Sequence, residues 1–285
     1  GAILRHGSVS QKREYLPKIA SGELRLQAFG VTEPSSGTDT SSLKTFARRD
    51  GDHYVVNGQK IWTSRAEHSD LARTTPKEQV PKKTDGLSVF ILDMREARKD
   101  GMTIRPIRTM MNHATTEVFF DNVKVPAENL LGPENSGFFT IMANFQAERL
   151  SLAIMAYMTA QMGLEQCLAY VKERTAFGKP LSKHQVIRHK LAEMATQVNV
   201  AREYTYRCAA RMQAGESAIA EVSMAKNFAT SVSTMVTDEA VQIFGGMGYM
   251  RESLVERLYR DNRILSIGGG THEIMNEIIS KQLGL

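Results

Sequence analysis

Side chains that could bind a ligand are concentrated in short segments of the 285-residue chain. Residues 29–39 end a predicted strand in a hydroxyl-rich turn, whose backbone donors could hold a flat heterocycle or a phosphate. Residues 58–64 contain the only tryptophan, followed by two hydroxyl residues. Residues 174–185 form a basic connection, and residues 242–249 and 268–274 place glycines at predicted helix ends, where a backbone can approach a ligand closely. Taken singly, each segment also fits an ordinary turn, a packed side chain or a helix cap.

The elements that must position these segments change from strands to helices near residue 130. The apolar pattern predicts strands over residues 24–31, 54–56, 59–62, 87–92, 102–107, 117–120 and 123–125. Helical spacing predicts helices over residues 11–20, 137–172, 183–212, 218–244 and 273–282. Asn57-Gly58 is typical of a type I′ hairpin turn. The order of elements therefore predicts an α+β protein, with an antiparallel β-barrel or sandwich domain followed by an all-α four-helix bundle.

The composition excludes several classes of protein. With 42% hydrophobic and 24% charged residues, the chain is neither disordered, collagen-like nor a disulfide-stapled miniprotein. The net charge of +5 comes from interspersed residues, which does not favour nucleic acid, and we interpret the basic group at 77–83 as a solvated loop. No apolar run approaches the roughly 18 residues of a membrane span. Scattered histidines predict no metal site, and Cys167 and Cys208 are expected to be reduced core thiols.

Taken together and in this order, the segments resemble those of the acyl-CoA dehydrogenase family. The motifs that carry the resemblance are Phe29-Gly30-Val31-Thr32-Glu33-Pro34, Trp62-Thr63-Ser64, Arg174-x-x-Phe177-Gly178 and Gln242-x-x-Gly245-Gly246. The resemblance covers the chain from Gly7 onward. It implies FAD, an acyl-CoA thioester substrate and a homotetramer, with a homodimer as the alternative. It also implies a middle β domain over 24–130 and a C-terminal bundle over 131–285, with 1–23 as the remnant of an N-terminal helical domain that is otherwise missing.

The resemblance also assigns residues to the cofactor and to the substrate. The residues it places around the flavin and its ribityl chain are Phe29, Val31, Thr32, Gly37, Thr38, Trp62, Thr63 and Ser64. Those it places near the adenine and pyrophosphate, across a subunit interface, are Arg174, Phe177, Gln185, Gln242, Gly245 and Gly246. Thr271 and Glu273 lie where the final helix begins beside the cofactor. The substrate-binding set is Thr38, Gln146, Arg149 and Gly269.

The catalytic base requires a separate argument, because many family members place a glutamate where this chain has Gly269. A second branch, the long-chain and isovaleryl-type enzymes, has the base on the first bundle helix, next to an arginine. Glu148-Arg149 match that pair, so Glu148 is the expected base. Burial would raise the pKa of this carboxyl group and Arg149 would lower it. An ordinary ion pair is the structural alternative.

The expected reaction is FAD-dependent dehydrogenation of an acyl-CoA to the trans-2-enoyl-CoA, with electrons passed to an electron-transfer flavoprotein. An acyl-CoA oxidase and a non-catalytic flavin-binding relative, of the DNA-associated kind, are alternatives. The family usually has an apolar strand at residues 69–73, of which only Leu71 and Ala72 remain here. We therefore expect disturbed sheet pairing there, and either residues missing from the sequence or a truncated product. The default compartment is cytoplasmic, or the mitochondrial matrix if a leader has been lost.

Overall fold

The computed structural model describes residues 1–69, 71–74, 86–111 and 114–285. The chain forms two compact units, residues 1–144 and 145–285. The domain boundaries given above stay predictions. The basic group at 77–83 lies outside the described residues.

The first unit is built on two sheets. Its strands are β1 (Leu26–Gly30), β2 (Phe46–Asp50), β3 (His53–Ser64), β4 (Leu71–Thr74), β5 (Phe90–Asp93), β6 (Met102–Ile107) and β7 (Thr115–Pro126). Its helices are α1 (Ala2–His6), α2 (Val9–Ala20) and α3 (Met94–Ala97). An antiparallel sheet has the order β2-β3-β7-β6, and a mixed sheet has the order β1-β4-β5, with β1 parallel to β4. Among the described strands no sheet closes into a barrel, and the expected α+β class is confirmed.

Two local expectations about this unit are wrong. The short segment after residue 69 still forms strand β4, which pairs with β1 on one side and β5 on the other, so sheet pairing is maintained. No hairpin forms at Asn57-Gly58, because β3 runs through both residues as one 12-residue strand. Gly58 has φ +140°, and a Cβ there would lie 2.6 Å from Thr45 Cα. The glycine therefore permits a close backbone approach and does not mark a turn.

The second unit is a helical bundle, as expected. Helix α4 (Gly137–Glu173) begins within the first unit and is followed by α5 (Gln185–Gln213), α6 (Ile219–Phe244), α7 (Leu254–Asn262) and α8 (His272–Gln282). The short strands β8 (Thr175–Ala176) and β9 (Lys179–Pro180) pair between α4 and α5. The α7 helix was not predicted from the sequence.

Small side chains allow the bundle helices to pack closely. Alanines of α4 at positions 153, 156 and 160 are fully buried in an apolar cluster that also contains valines of α6. A Cβ at Gly163 of α4 would lie only 3.5 Å from Val236 Cγ1 of α6. Cys167 and Cys208 are free and buried, as predicted. No helix in the described part of the chain is long and apolar enough to cross a bilayer.

Candidate functional site

A buried ion pair fixes the turn that follows β1. Lys60 of β3 is fully buried, and its Nζ donates hydrogen bonds to Glu33 Oε1 at 2.7 Å and to the Val31 carbonyl at 3.0 Å. Glu33 Oε2 accepts a hydrogen bond from the Lys44 backbone N–H at 2.6 Å, and Oε1 accepts one from Thr45 N–H at 3.0 Å. One lysine and one carboxylate thus join β3, the β1 turn and the start of β2.

The electrostatics of this pair are governed by burial. Burial has the largest effect on Glu33 and opposes its charge, but Lys60 and the backbone N–H groups outweigh it and lower the pKa of Glu33. Burial also lowers the pKa of Lys60 to about 8, against the attraction of Glu33. Neither Glu33 nor Lys60 was expected from the sequence to have a role in the site. The signal in the sequence was that Lys60 lies within the predicted strand 59–62, four residues after Val56, where an apolar side chain would be expected.

A β-bulge displays the predicted flavin-facing residues of β3. The pairing of β3 with β7 shifts register between Lys60 and Thr63. Trp62, inside the bulge, has φ +61°, a left-handed conformation that is strained for a bulky side chain, and it is 54% exposed. Thr63 is buried, and its Oγ1 has no hydrogen-bond partner in the described structure. Such orphaned buried hydroxyls are rare and need an explanation.

Most of the other predicted flavin contacts of the first unit lie at the end of β1 or in the turn held by Lys60. Val31 is buried, and Phe29 packs against the small apolar cluster that contains it. Thr32 is half-buried, and its carbonyl accepts the Ile61 N–H at 2.9 Å. Gly37 and Thr38 are exposed. Buried residues thus anchor the turn while its far end stays accessible.

In the second unit, two buried cations hold a glycine turn before α8. Arg149 of α4 is 4% exposed, and its Nε donates a hydrogen bond to the Gly269 carbonyl at 3.1 Å. Lys226 of α6 is fully buried and donates to the Gly270 carbonyl. Burial lowers the pKa of Arg149, and Glu148 opposes that effect. Burial, followed by the charge of Arg149, lowers the pKa of Lys226 to about 8.

The turn itself requires glycine. Gly269 has φ +66° and Gly270 has φ +102°. A Cβ at Gly269 would lie 2.6 Å from Leu152 Cδ1, one helical turn after Glu148. Thr271 then caps α8 by accepting the Ile274 N–H at 3.4 Å. A side chain at position 269 would therefore require a strained backbone and a shift of Leu152.

Two polar residues of α4, Gln146 and Glu148, lie just before Arg149 in the sequence. Glu148 is half-buried, and its charge acts on both Arg149 and Lys226. Gln146 Oε1 is buried without a hydrogen-bond partner among the described residues. Neither the environment of Glu148 nor the orphaned oxygen of Gln146 could be read from helical periodicity.

Comparisons with known proteins decide the family. The acyl-CoA dehydrogenase middle-domain model matches residues 28–123, and the acyl-CoA dehydrogenase C-terminal-domain model matches residues 135–284. An acyl-CoA dehydrogenase from Bacillus subtilis (strain 168) is 39% identical over 284 residues, which cover 99% of this chain and 74% of that protein. The chain belongs to the acyl-CoA dehydrogenase family. It is thus an enzyme of the oxidoreductase class, in a family of flavoproteins.

Two further relatives of this chain are informative. The crystal structure of a probable acyl-CoA dehydrogenase from Mycobacterium abscessus is 47% identical, with a TM-score of 0.95, and the match covers 99% of this chain and 75% of that one. The caffeyl-CoA reductase-Etf complex subunit CarC of Acetobacterium woodii is 36% identical, and the match covers 99% of this chain and 74% of that protein.

The remaining predicted cofactor residues lie on the surface of the second unit. Phe177 is 96% exposed with φ +51°, between exposed Arg174 and exposed Gln185. Gln242, Gly245 and Gly246 are exposed at the end of α6. Tyr170, one turn before Arg174, stacks on Phe244 with ring centroids 4.1 Å apart, so the two segments lie at the same end of the bundle.

Glu273 is exposed in the first turn of α8, and its hydrogen bond with Thr271 lowers its pKa. Ser64 is half-buried at the end of β3. Within the described residues, no group of three or more His, Cys, Asp or Glu side chains is arranged to hold a metal ion.

Proposed function

We propose that this enzyme oxidises an acyl-CoA thioester to the trans-2-enoyl-CoA, with FAD as cofactor and Glu148 as the catalytic base. The observation that carries the proposal is the arrangement around Arg149. This side chain follows Glu148 on α4 and holds the Gly269 carbonyl, so the candidate base is tied to the turn whose position 269 offers no carboxylate. A base on α4 would supply the carboxylate that the turn at position 269 lacks.

The residues of the first unit fit a flavin. An exposed tryptophan next to a buried, partnerless threonine hydroxyl suits a flat ring with a hydrogen-bonding edge. FAD, when bound, supplies the acceptor for the hydride that leaves the substrate β-carbon. In the first unit the residues proposed to hold it are Phe29, Val31, Thr32, Gly37, Thr38, Trp62, Thr63 and Ser64. In the second unit they are Arg174, Phe177, Gln185, Gln242, Gly245, Gly246, Thr271 and Glu273.

The remaining steps belong to the side chains and backbone around the substrate. The α-proton of a thioester is weakly acidic, so the base must be ionised and close to it. The Glu148 carboxylate takes that proton, and the backbone N–H of Gly269 donates to the thioester oxygen as negative charge develops there. The orphaned Oε1 of Gln146 is available to accept an amide N–H of the CoA arm. Arg149 and Thr38 complete the proposed substrate contacts.

An electron-transfer flavoprotein is the proposed electron acceptor, and a homotetramer is the proposed assembly. The acceptor is supported by the relative CarC, which is a subunit of a reductase-Etf complex. The assembly is supported by exposed apolar residues at helical spacing on α4, which are Ile154, Met155, Met158 and Met162. Large exposed apolar surfaces of this kind mark protein interfaces. The expected compartment stays a prediction.

An anaerobic titration of the FAD-loaded chain with a panel of acyl-CoAs tests the reaction, with the visible absorbance of oxidised flavin as the readout. We expect bleaching by at least one acyl-CoA. Glu148→Gln should retain FAD and bleach at least about 100-fold more slowly, since a positioned base contributes at least that factor. Glu165→Gln, at an exposed position of the same helix, is the matched control and should behave like the parent.

Three results would change the proposed base or the proposed activity. Unchanged bleaching by Glu148→Gln would remove Glu148 as the base. Oxygen consumption without an added acceptor would favour the oxidase. Bound flavin that no acyl-CoA bleaches, together with salt-sensitive retention on DNA, would favour the non-catalytic relative.

A further inference from the structure

Lys226 is a fully buried cation that the proposed reaction has not used. It lies on α6 and donates a hydrogen bond to the Gly270 carbonyl. In the described structure, none of the ion pairs includes Lys226, so a peptide carbonyl is its hydrogen-bond acceptor. Burying a charge without a carboxylate partner is costly. Retaining the charge at this position therefore calls for a reason.

The groups that surround Lys226 come from α4, from the glycine turn before α8 and from α8 itself. Arg149 and Glu148 of α4 both act on its charge. His272 of α8 also senses it, because burial, followed by the charge of Lys226, lowers the pKa of His272. Arg149 and Lys226 hold the consecutive carbonyls of Gly269 and Gly270 from two different helices. Both cations thus flank the turn that the base faces in the proposed mechanism.

Neutral contacts from the same helix already attach α6 to this segment. Asn227 Nδ2 donates to the His272 carbonyl at 3.1 Å and to Asn276 Oδ1 at 3.0 Å. Thr230 Oγ1 and His272 Nε2 are 2.7 Å apart. A further neutral donor at position 226 would satisfy the Gly270 carbonyl as well. What Lys226 adds is positive charge.

We propose that Lys226 is a positioning residue for the dehydrogenation, which holds the Gly270 carbonyl and keeps positive charge beside Glu148 during proton transfer. The inference rests on the proposed function, because it takes Glu148 as the base. Positive charge favours the ionised carboxylate, which is the form that can accept the α-proton. It also stabilises the negative charge that develops on the thioester oxygen. Lys226 itself neither gives nor takes a proton in this step.

The test compares Lys226→Met with Asn227→Ala in the FAD-loaded enzyme. The Met variant keeps the length of the side chain and removes its charge, whereas the Ala variant removes a neutral contact to the same segment. We measure kcat and KM from pH 5.5 to 9.5 and the thermal midpoint. Lys226→Met should shift the acidic limb of kcat upward by at least about half a pH unit and lower kcat about tenfold, with little change in KM. Asn227→Ala should lower the thermal midpoint without shifting the acidic limb of the kcat–pH profile.

Two further measurements keep the proposal open to refutation. The pKa of His272, followed by NMR and independent of turnover, should rise in Lys226→Met and stay in place in Asn227→Ala. If Lys226→Met does not fold, Lys226→Arg replaces it. The parent enzyme should then lose activity above about pH 8, where Lys226 loses its proton, and the Arg variant should keep it.

A Lys226→Met variant that is merely less stable, with the parent pH profile and the parent pKa of His272, would overturn the proposal. So would identical alkaline profiles of the parent and Lys226→Arg. Either result leaves the base assignment standing, because that assignment is tested separately by Glu148→Gln.

Discussion

Replacing Lys60 with methionine should destabilise the first unit and reverse the pH dependence that Glu33 confers. The variant keeps most of the side-chain volume in a fully buried position and removes the ammonium group. The carboxylate of Glu33 then stays buried without its cation. It retains two hydrogen bonds, from the backbone N–H groups of Lys44 and Thr45.

The magnitude follows from this geometry. Removing one partner of a buried ion pair costs about 3–5 kcal/mol. Because two backbone donors remain on Glu33, we expect the lower end, about 3 kcal/mol. For a unit of 144 residues, this corresponds to a fall of about 10 °C in the thermal midpoint. Glu33→Gln combined with Lys60→Met should recover at least about 1 kcal/mol, since it also removes the stranded charge.

The sign of the pH dependence is the sharper test. In the parent, the pKa of Glu33 is below its usual value, so its contribution is present at neutral pH and is lost as pH falls through the folded-state pKa. In Lys60→Met the largest remaining effect is burial, which raises that pKa. The folded state then binds the proton more tightly, and stability should rise as pH falls from 7.5 to 5.5.

Urea unfolding of the parent and Lys60→Met at pH 7.5 and 5.5 measures both effects. Lys44→Met is the matched control, because its side chain is exposed and only its backbone contacts Glu33, so its stability should match the parent. A loss below about 1 kcal/mol in Lys60→Met at pH 7.5, or an equal loss at both pH values, would refute the reasoning.

Three further predictions concern glycines and the buried lysine of α6. Gly58→Ala should lower the free energy of unfolding in urea by about 2–4 kcal/mol, because its Cβ would lie 2.6 Å from the Thr45 backbone. Gly51 also has a positive φ but faces open space, so Gly51→Ala should lower it by only about 1 kcal/mol. Gly269→Ala should lower the thermal midpoint and the flavin-bleaching rate, and adding Leu152→Ala should recover part of both losses; no recovery would show that the contact at 2.6 Å is not the cause. Lys226 has a folded-state pKa of about 8, against 10.5 in the unfolded state, so the folded state binds fewer protons between these pH values. The free energy of unfolding of the parent should therefore rise from pH 8 to 9, and that of Lys226→Met should rise less. Equal changes with pH in the two proteins would contradict this prediction.

The long bundle helices α4, α5 and α6 and the order of the site segments were predictable from the sequence. Helix α4 was expected over 137–172 and spans Gly137–Glu173, because helical periodicity is a local property of neighbouring residues. The α+β class and the family followed from short motifs whose residues are close in the chain. Glu148 was placed on the first bundle helix for the same reason, while its role as base stays a proposal.

Tertiary structure alone decided the features that depend on distant residues. The prediction of a hairpin at Asn57-Gly58 was wrong, because a glycine is needed at position 58 for the close approach of the Thr45 backbone and not for a turn. The Lys60–Glu33 pair joins residues 27 apart, and the Lys226 hydrogen bond reaches across 44 residues. The spacing of neighbouring residues does not show which distant groups come into contact. Burial shifts the pKa of a charged group only once those contacts have formed. The sequence therefore determined the long helices and the family, and the folded chain determined which charges are buried and what they hold in place.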